Sequence, residues 1–175
     1  LKNGYDNAKD IFDRIEEHSS KIERLQHYLE NLNSLRNIEV NIDKLQSLNF
    51  LKFRVLRFSN ESFNKLKMNY ENIPSVIFPV DKADKQVIVA AFTPEAVEED
   101  SQRVFTSLNC KELELPEGYK GNAVEIAARI RQDIEAERSE INELKKSAVE
   151  LKREYQQAVR KAYVMLELEK KSELI

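Results

Sequence analysis

Two histidines, one cysteine, a run of three carboxylates and a pair of strand arginines are where this chain of 175 residues could do chemistry. His18 and His27 lie nine residues apart in a stretch with helical periodicity, so their side chains point about 180° apart and cannot share a metal ion. His18 falls on the apolar stripe, where it reads as a polar spacer, and His27 as a solvated surface residue. Cys110 has no histidine nearby in sequence and opens an alternating segment, which makes it a half-buried apolar residue rather than a nucleophile. Glu98, Glu99 and Asp100 open a helix, where carboxylates complement the helix dipole. Arg54 and Arg57 read as surface charges on the first strand that can meet an acidic partner. Phe53, Phe78 and Phe92 could stack bases as in an RNA-recognition motif, but the glycine and basic residues of that motif are absent and core packing accounts for them better.

The glycines exclude more than the charged residues suggest. Phosphate-cradling loops need glycine so that backbone N–H groups can approach the ligand, and none occurs between Gly4 and Gly118. That removes P-loop and dinucleotide-binding readings and weakens an acylphosphatase reading. The expectation is a chain with no catalytic residue, no cofactor and no metal.

Such residues need elements to carry them, and composition describes those elements. With 34% charged residues, three glycines, four prolines and no tryptophan, the chain reads as helix-rich and extended. Net charge is −3 with both signs interspersed, so no basic stripe attracts nucleic acid. A single cysteine forms no internal disulfide and favours the cytosol. No run approaches the ~20 apolar residues that cross a bilayer. Both ends read as cuts through a larger protein, because the last helical pattern runs to Ile175 without a stop signal.

Across residues 6–36, Ala8, Ile11, Ile15, His18, Ile22, Leu25, Leu29 and Leu32 recur at alternating spacings of three and four, a coiled-coil seam. The phase shifts at Leu35 and Ile38, a break follows at 37–41, and a short helix is expected over 43–48. A second seam runs Ala123, Ala127, Ile130, Ile134, Glu137, Ile141, Leu144, Ala148, Leu151, Tyr155, Ala158, Ala162, Met165, with Glu137 its one charged member. It predicts an uninterrupted helix of about fifty residues, roughly 75 Å long, capped by Asn122 or Gly121. The two stripes bury each other most simply as an antiparallel pair. The first helix being shorter, the second needs another partner beyond Leu151.

Between the helices the period changes to two. A strand begins at Leu51, Phe53 and Val55. A helix over 60–72 follows, with Phe63, Leu66, Tyr70 and Ile73 inward and Pro74 as its stop. Strands at 75–80 and 86–93 are joined by a polar link, with Pro79 on an edge. Thr93 is expected to cap the next helix, with Val97, Val104, Phe105 and Leu108 inward, and a last strand is expected over 110–115. The order strand, helix, strand, strand, helix, strand is the ferredoxin-like pattern. The fold class is thus α+β: a long antiparallel two-helix coiled coil over 1–49 and 118–175, with a ferredoxin-like lobe over 50–117 at its tip. The sheet face away from the helices is expected to show Lys52, Arg54, Ile88 and Ala90, which makes Lys52, Arg54, Arg57 and Ile88 the candidate partner-binding residues.

The stretch LKFRVLRFSNESFNKLK, then SVIFPV, VIVAAFTPEAVEEDSQRVFTSLNCKELELPEG and a long charged helix, resembles the cytoplasmic N-terminal domain of subunit I, or subunit a, of V-type and A-type rotary ATPases. The likeness covers about residues 43–135. It departs at Leu56, where the family often has glycine, and at Ser59, where it has proline. The resemblance implies a stator with no chemistry of its own. Its partners would be the peripheral-stalk subunits E and G and other subunits of the complex, with no small-molecule substrate, on the cytoplasmic side of the membrane. The proton-path arginine of the family belongs to a membrane part outside this sequence. An unrelated coiled-coil scaffold or hinge protein dimerising through its tip domain is the competing reading.

Overall fold

The computed structural model describes residues 2–173. The chain divides into two units, Leu1–Arg24 with Asp133–Ile175 and Leu25–Gln132. Two long helices, α1 (Lys2–Asn33) and α5 (Ala123–Glu173), each contribute to both.

In the first unit α1 and α5 run antiparallel. His18 meets Glu137, while Gly4, Ala8 and Ile15 line one cleft with Ala148, Leu151 and Tyr155, so rising numbers on one helix meet falling numbers on the other. The apolar stripes are what face inward. Ile11, Ile15, His18 and Ile22 are half-buried against a seam in which Ile134 and Ile141 are buried and Leu144, Ala148 and Leu151 partly so. From residue 152 onward every described residue of α5 is exposed. The expected single helix of about fifty residues is observed at 51; its expected run to Ile175 lies outside the described residues. Asn122 caps it, its Oδ1 accepting from the Glu125 N–H at 2.9 Å while the Asn122 N–H donates to Glu125 Oε1 at 3.4 Å, a reciprocal capping box.

The second unit holds a four-stranded antiparallel sheet, β1 (Leu51–Ser59), β2 (Val76–Ala83), β3 (Gln86–Pro94) and β4 (Lys111–Glu112), in the order β2-β3-β1-β4. Between the end of α1 and β1 lies α2 (Ile42–Gln46). α3 (Asn60–Met68) connects β1 to β2, and α4 (Glu98–Ser107) connects β3 to β4. Pro79 stands on edge strand β2 beside a register shift between Pro79 and Asp81, which suits a residue without an N–H. Ser59, where the resembling family has proline, caps α3 by accepting from the Ser62 N–H at 3.1 Å.

One sheet face packs on α3 and α4 in a core of Leu56, Phe58, Val87, Val89 and Ala91 with Leu66, Ile73, Ile77 and Phe105. A second packed region lies around the helix ends, where Leu35, Ile42, Ala123, Ile126 and Ile130 are buried and α2 touches β1. Backbone and side-chain bonds stitch it together: Leu113 N–H to Val55 O and Ile42 N–H to Gly121 O, both 2.8 Å, and Asn31 Nδ2 to Glu114 O at 2.7 Å.

Three expectations are corrected here. The α-helix after β1 ends at Met68, and a separate 3₁₀ turn over Tyr70–Asn72 puts Tyr70 outside, 42% exposed; the chain approaching Pro74 must become extended, which unwinds the last turn. Thr93 caps nothing: it stays in β3, and α4 begins at Glu98 after a 3₁₀ turn over Glu95–Val97. The final strand pairs over only two residues, Lys111 and Glu112.

Candidate functional site

Pairing register decides where the candidate partner-binding residues lie. Arg54 stands opposite Ala91 and Arg57 opposite Ile88. Because side chains alternate, Lys52 and Arg54 share the face that packs on α3 and α4, whereas Arg57, Ile88 and Ala90 share the other. The expectation of a single face showing Lys52, Arg54, Ile88 and Ala90 is therefore corrected. Lys52 is exposed, Arg54 and Arg57 are half-buried, and Ile88 is buried, 3% exposed.

Arg54 is the most heavily engaged of them. Its Nη1 donates to both Glu112 oxygens at 2.8 and 2.9 Å, and its Nη2 pairs with Glu98 in the first turn of α4. Burial alone pushes the guanidinium pKa down, but the bonds and charges of Glu98 and Glu112 outweigh it and hold the value above the ordinary one. One arginine thus ties β1 to β4 and to α4. The Nε atoms of Arg54 and Arg57 are buried without a hydrogen-bond partner among the described residues.

Beside this cluster the helix-facing side holds three buried hydroxyls that the sequence did not announce. Ser75 Oγ lies 2.6 Å from Thr93 Oγ1 and 2.9 Å from Ser101 Oγ, so the three satisfy one another away from water. Cys110 packs against the core, as expected. Desolvation, with a contribution from Glu112, raises its thiol pKa to about 11, an inert value.

The other face carries an aromatic row. Phe92 stands opposite Phe53 on one side and Val76 on the other, its ring centroid 5.2 Å from that of Phe53 and 6.1 Å from that of Phe78. None of these rings belongs to the packed core, and Phe78 is 53% exposed. Core packing, expected for all three phenylalanines, is corrected: Phe53 and Phe92 are only half-buried, and Phe78 is exposed because β2 is the edge strand. Phe50, just before β1, is 81% exposed and holds φ at 66°, a conformation that a bulky side chain rarely adopts. The signal for this surface was available: Val76 and Phe78 alternate on a strand already assigned to an edge by Pro79.

In the helix pair, His18 Nδ1 meets Glu137, the two exceptions to otherwise apolar seams. His27 is exposed on the same helix. Among the described residues no group of three or more His, Cys, Asp or Glu side chains could hold a metal ion, and no helix is long and apolar enough to cross a membrane.

No family model and no curated protein matches the chain. Among solved structures it is similar to the crystal structure of the cytoplasmic N-terminal domain of subunit I, homolog of subunit a, of V-ATPase, with a TM-score of 0.51 and 15% sequence identity, covering 83% of this chain and 51% of that one. The chain therefore spans about half the length of that domain, and at such identity what the two share is the fold.

Proposed function

We propose that the chain is a non-catalytic stator component of a V/A-type rotary ATPase. In this role it links the peripheral stalks, heterodimers of subunits E and G, to the membrane sector and resists rotor torque while ion transport is coupled to ATP hydrolysis or synthesis. The observation that carries the reading is the fold likeness across 83% of the chain to a cytoplasmic subunit I domain. The paired helices α1 and α5 suit transmission of force along their axis, because a two-stranded seam resists bending more than a single helix does. The strand order β2-β3-β1-β4, with a helix in each crossover, supports a ferredoxin-like lobe over 50–117 as the docking part. Lys52, Arg54 and Arg57 remain the charged contacts of this proposal; Ile88, being buried, leaves it. The chain works on the cytoplasmic side of the membrane, with other rotary ATPase subunits as partners and no small-molecule substrate.

The test is calorimetric titration of the purified chain with an E–G heterodimer. Association weakened by Lys52→Glu or Phe78→Asp supports the reading. A chain that ignores the heterodimer at low salt and forms stable homodimers through the lobe would support the unrelated scaffold reading instead.

A further inference from the structure

We infer that the His18–Glu137 pair sets the register in which α1 lies along α5. Among the described residues from Ala8 to Ile22 and from Ile134 to Leu151, these are the two polar members of the facing stripes, and the structure places them together, with side chains 23% and 22% exposed. Stepping outward along both seams brings Ile15 level with Ile141, Ile11 with Leu144 and Ala8 with Ala148; stepping inward brings Ile22 level with Ile134. These layers are built from small and branched aliphatic residues that substitute for one another. Moving α1 outward by one heptad sets Ile22 against Ile141 and Ile15 against Ala148, still apolar on apolar, so the aliphatic layers discriminate poorly between registers.

The polar layer does discriminate. In that slipped register His18 faces Leu144 and Glu137 faces Leu25, and each half-buried polar group loses its partner without regaining water. An unpaired polar or charged group in such a place costs far more than a paired one gains, which is how a single polar layer specifies register in helix pairs at the expense of stability. α1 and α5 also continue into the second unit, whose packing restrains their ends. The pair acts beyond that tether, where Gly4, Ala8 and Ala148 offer little side-chain volume to interlock and a cleft of about 520 Å³ lies between the helices.

Disulfide trapping on the whole chain with Cys110→Ser tests this. Ala8→Cys with Ala148→Cys reports the native register, and Ala8→Cys with Tyr155→Cys reports the slipped one. With His18 and Glu137 present, only the native pair cross-links efficiently. In a His18→Leu/Glu137→Leu background the chain keeps its helical content and melts at the same or a higher temperature, while the slipped product gains about tenfold on the native one, equivalent to ~1.4 kcal/mol of lost discrimination. The single variant His18→Leu, which strands Glu137, melts lower than either. Cross-linking confined to the native register in the double-leucine chain, or a double-leucine chain that melts below His18→Leu, overturns the inference, leaving register to the tether alone.

Discussion

Arg54 reaches three elements from one strand position, and its removal leaves Glu98 and Glu112 facing each other's charge across a half-buried gap. Arg54→Ala should lower unfolding free energy by about 1–3 kcal/mol, read as a reduced urea midpoint. Arg54→Lys should recover only part of that, because an ammonium cannot make the forked contact to Glu112. Cys110 gives a second residue-scale test. With its pKa raised from 9.0 to about 11, the native chain should react with iodoacetamide about a hundredfold more slowly than a free thiol at neutral pH. The sign for stability follows: the folded state holds this proton more tightly than the unfolded one, so stability is complete below about pH 9 and falls as pH rises through about 11. Phe50 holds a left-handed backbone at φ 66° with its ring in solvent. Phe50→Gly should therefore raise stability by about 1 kcal/mol in thermal melts, and a simultaneous loss of partner binding would show that the strain serves docking.

The stripes of α1 and α5 were legible because a seam of period 3.5 is a local property, and it named every buried or half-buried member of α5 from Ile134 to Leu151. The order of strands and helices was legible for the same reason. What stayed hidden depends on which distant residue faces which. His18 and Glu137 were each visible as an exception, but their meeting spans 119 positions. Arg54 and Ile88 were placed on one face because an offset of one residue between β1 and β3 exchanges the faces, and only the observed pairing of Arg57 with Ile88 resolves it. Thr93 carried a cap's chemistry next to Pro94, yet its hydroxyl is satisfied inside the lobe by Ser75, which in turn bonds Ser101. At this scale α5 should show two regimes in hydrogen exchange. Amides should be protected up to about Leu151, where the seam is covered, and exchange rapidly over 155–173, where each described residue is exposed; addition of a partner that covers this segment should slow the second regime.

For the whole molecule the proposed function assigns two jobs to one chain, transmission of force to the helix pair and docking to the sheet-and-helix lobe. Exposed Phe50, Val76 and Phe78, with half-buried Arg57 on the same sheet face as Val76 and Phe78, give that surface apolar area with a basic fringe, the composition expected of an interface core and rim. Salt should then slow association more than it speeds dissociation. The most direct measurement is the mass, by sedimentation velocity, of this chain mixed with a purified peripheral-stalk heterodimer of subunits E and G. The account predicts a complex of one chain per heterodimer that Phe78→Asp disperses while the chain stays folded; free chain and free heterodimer sedimenting separately at low salt would contradict it.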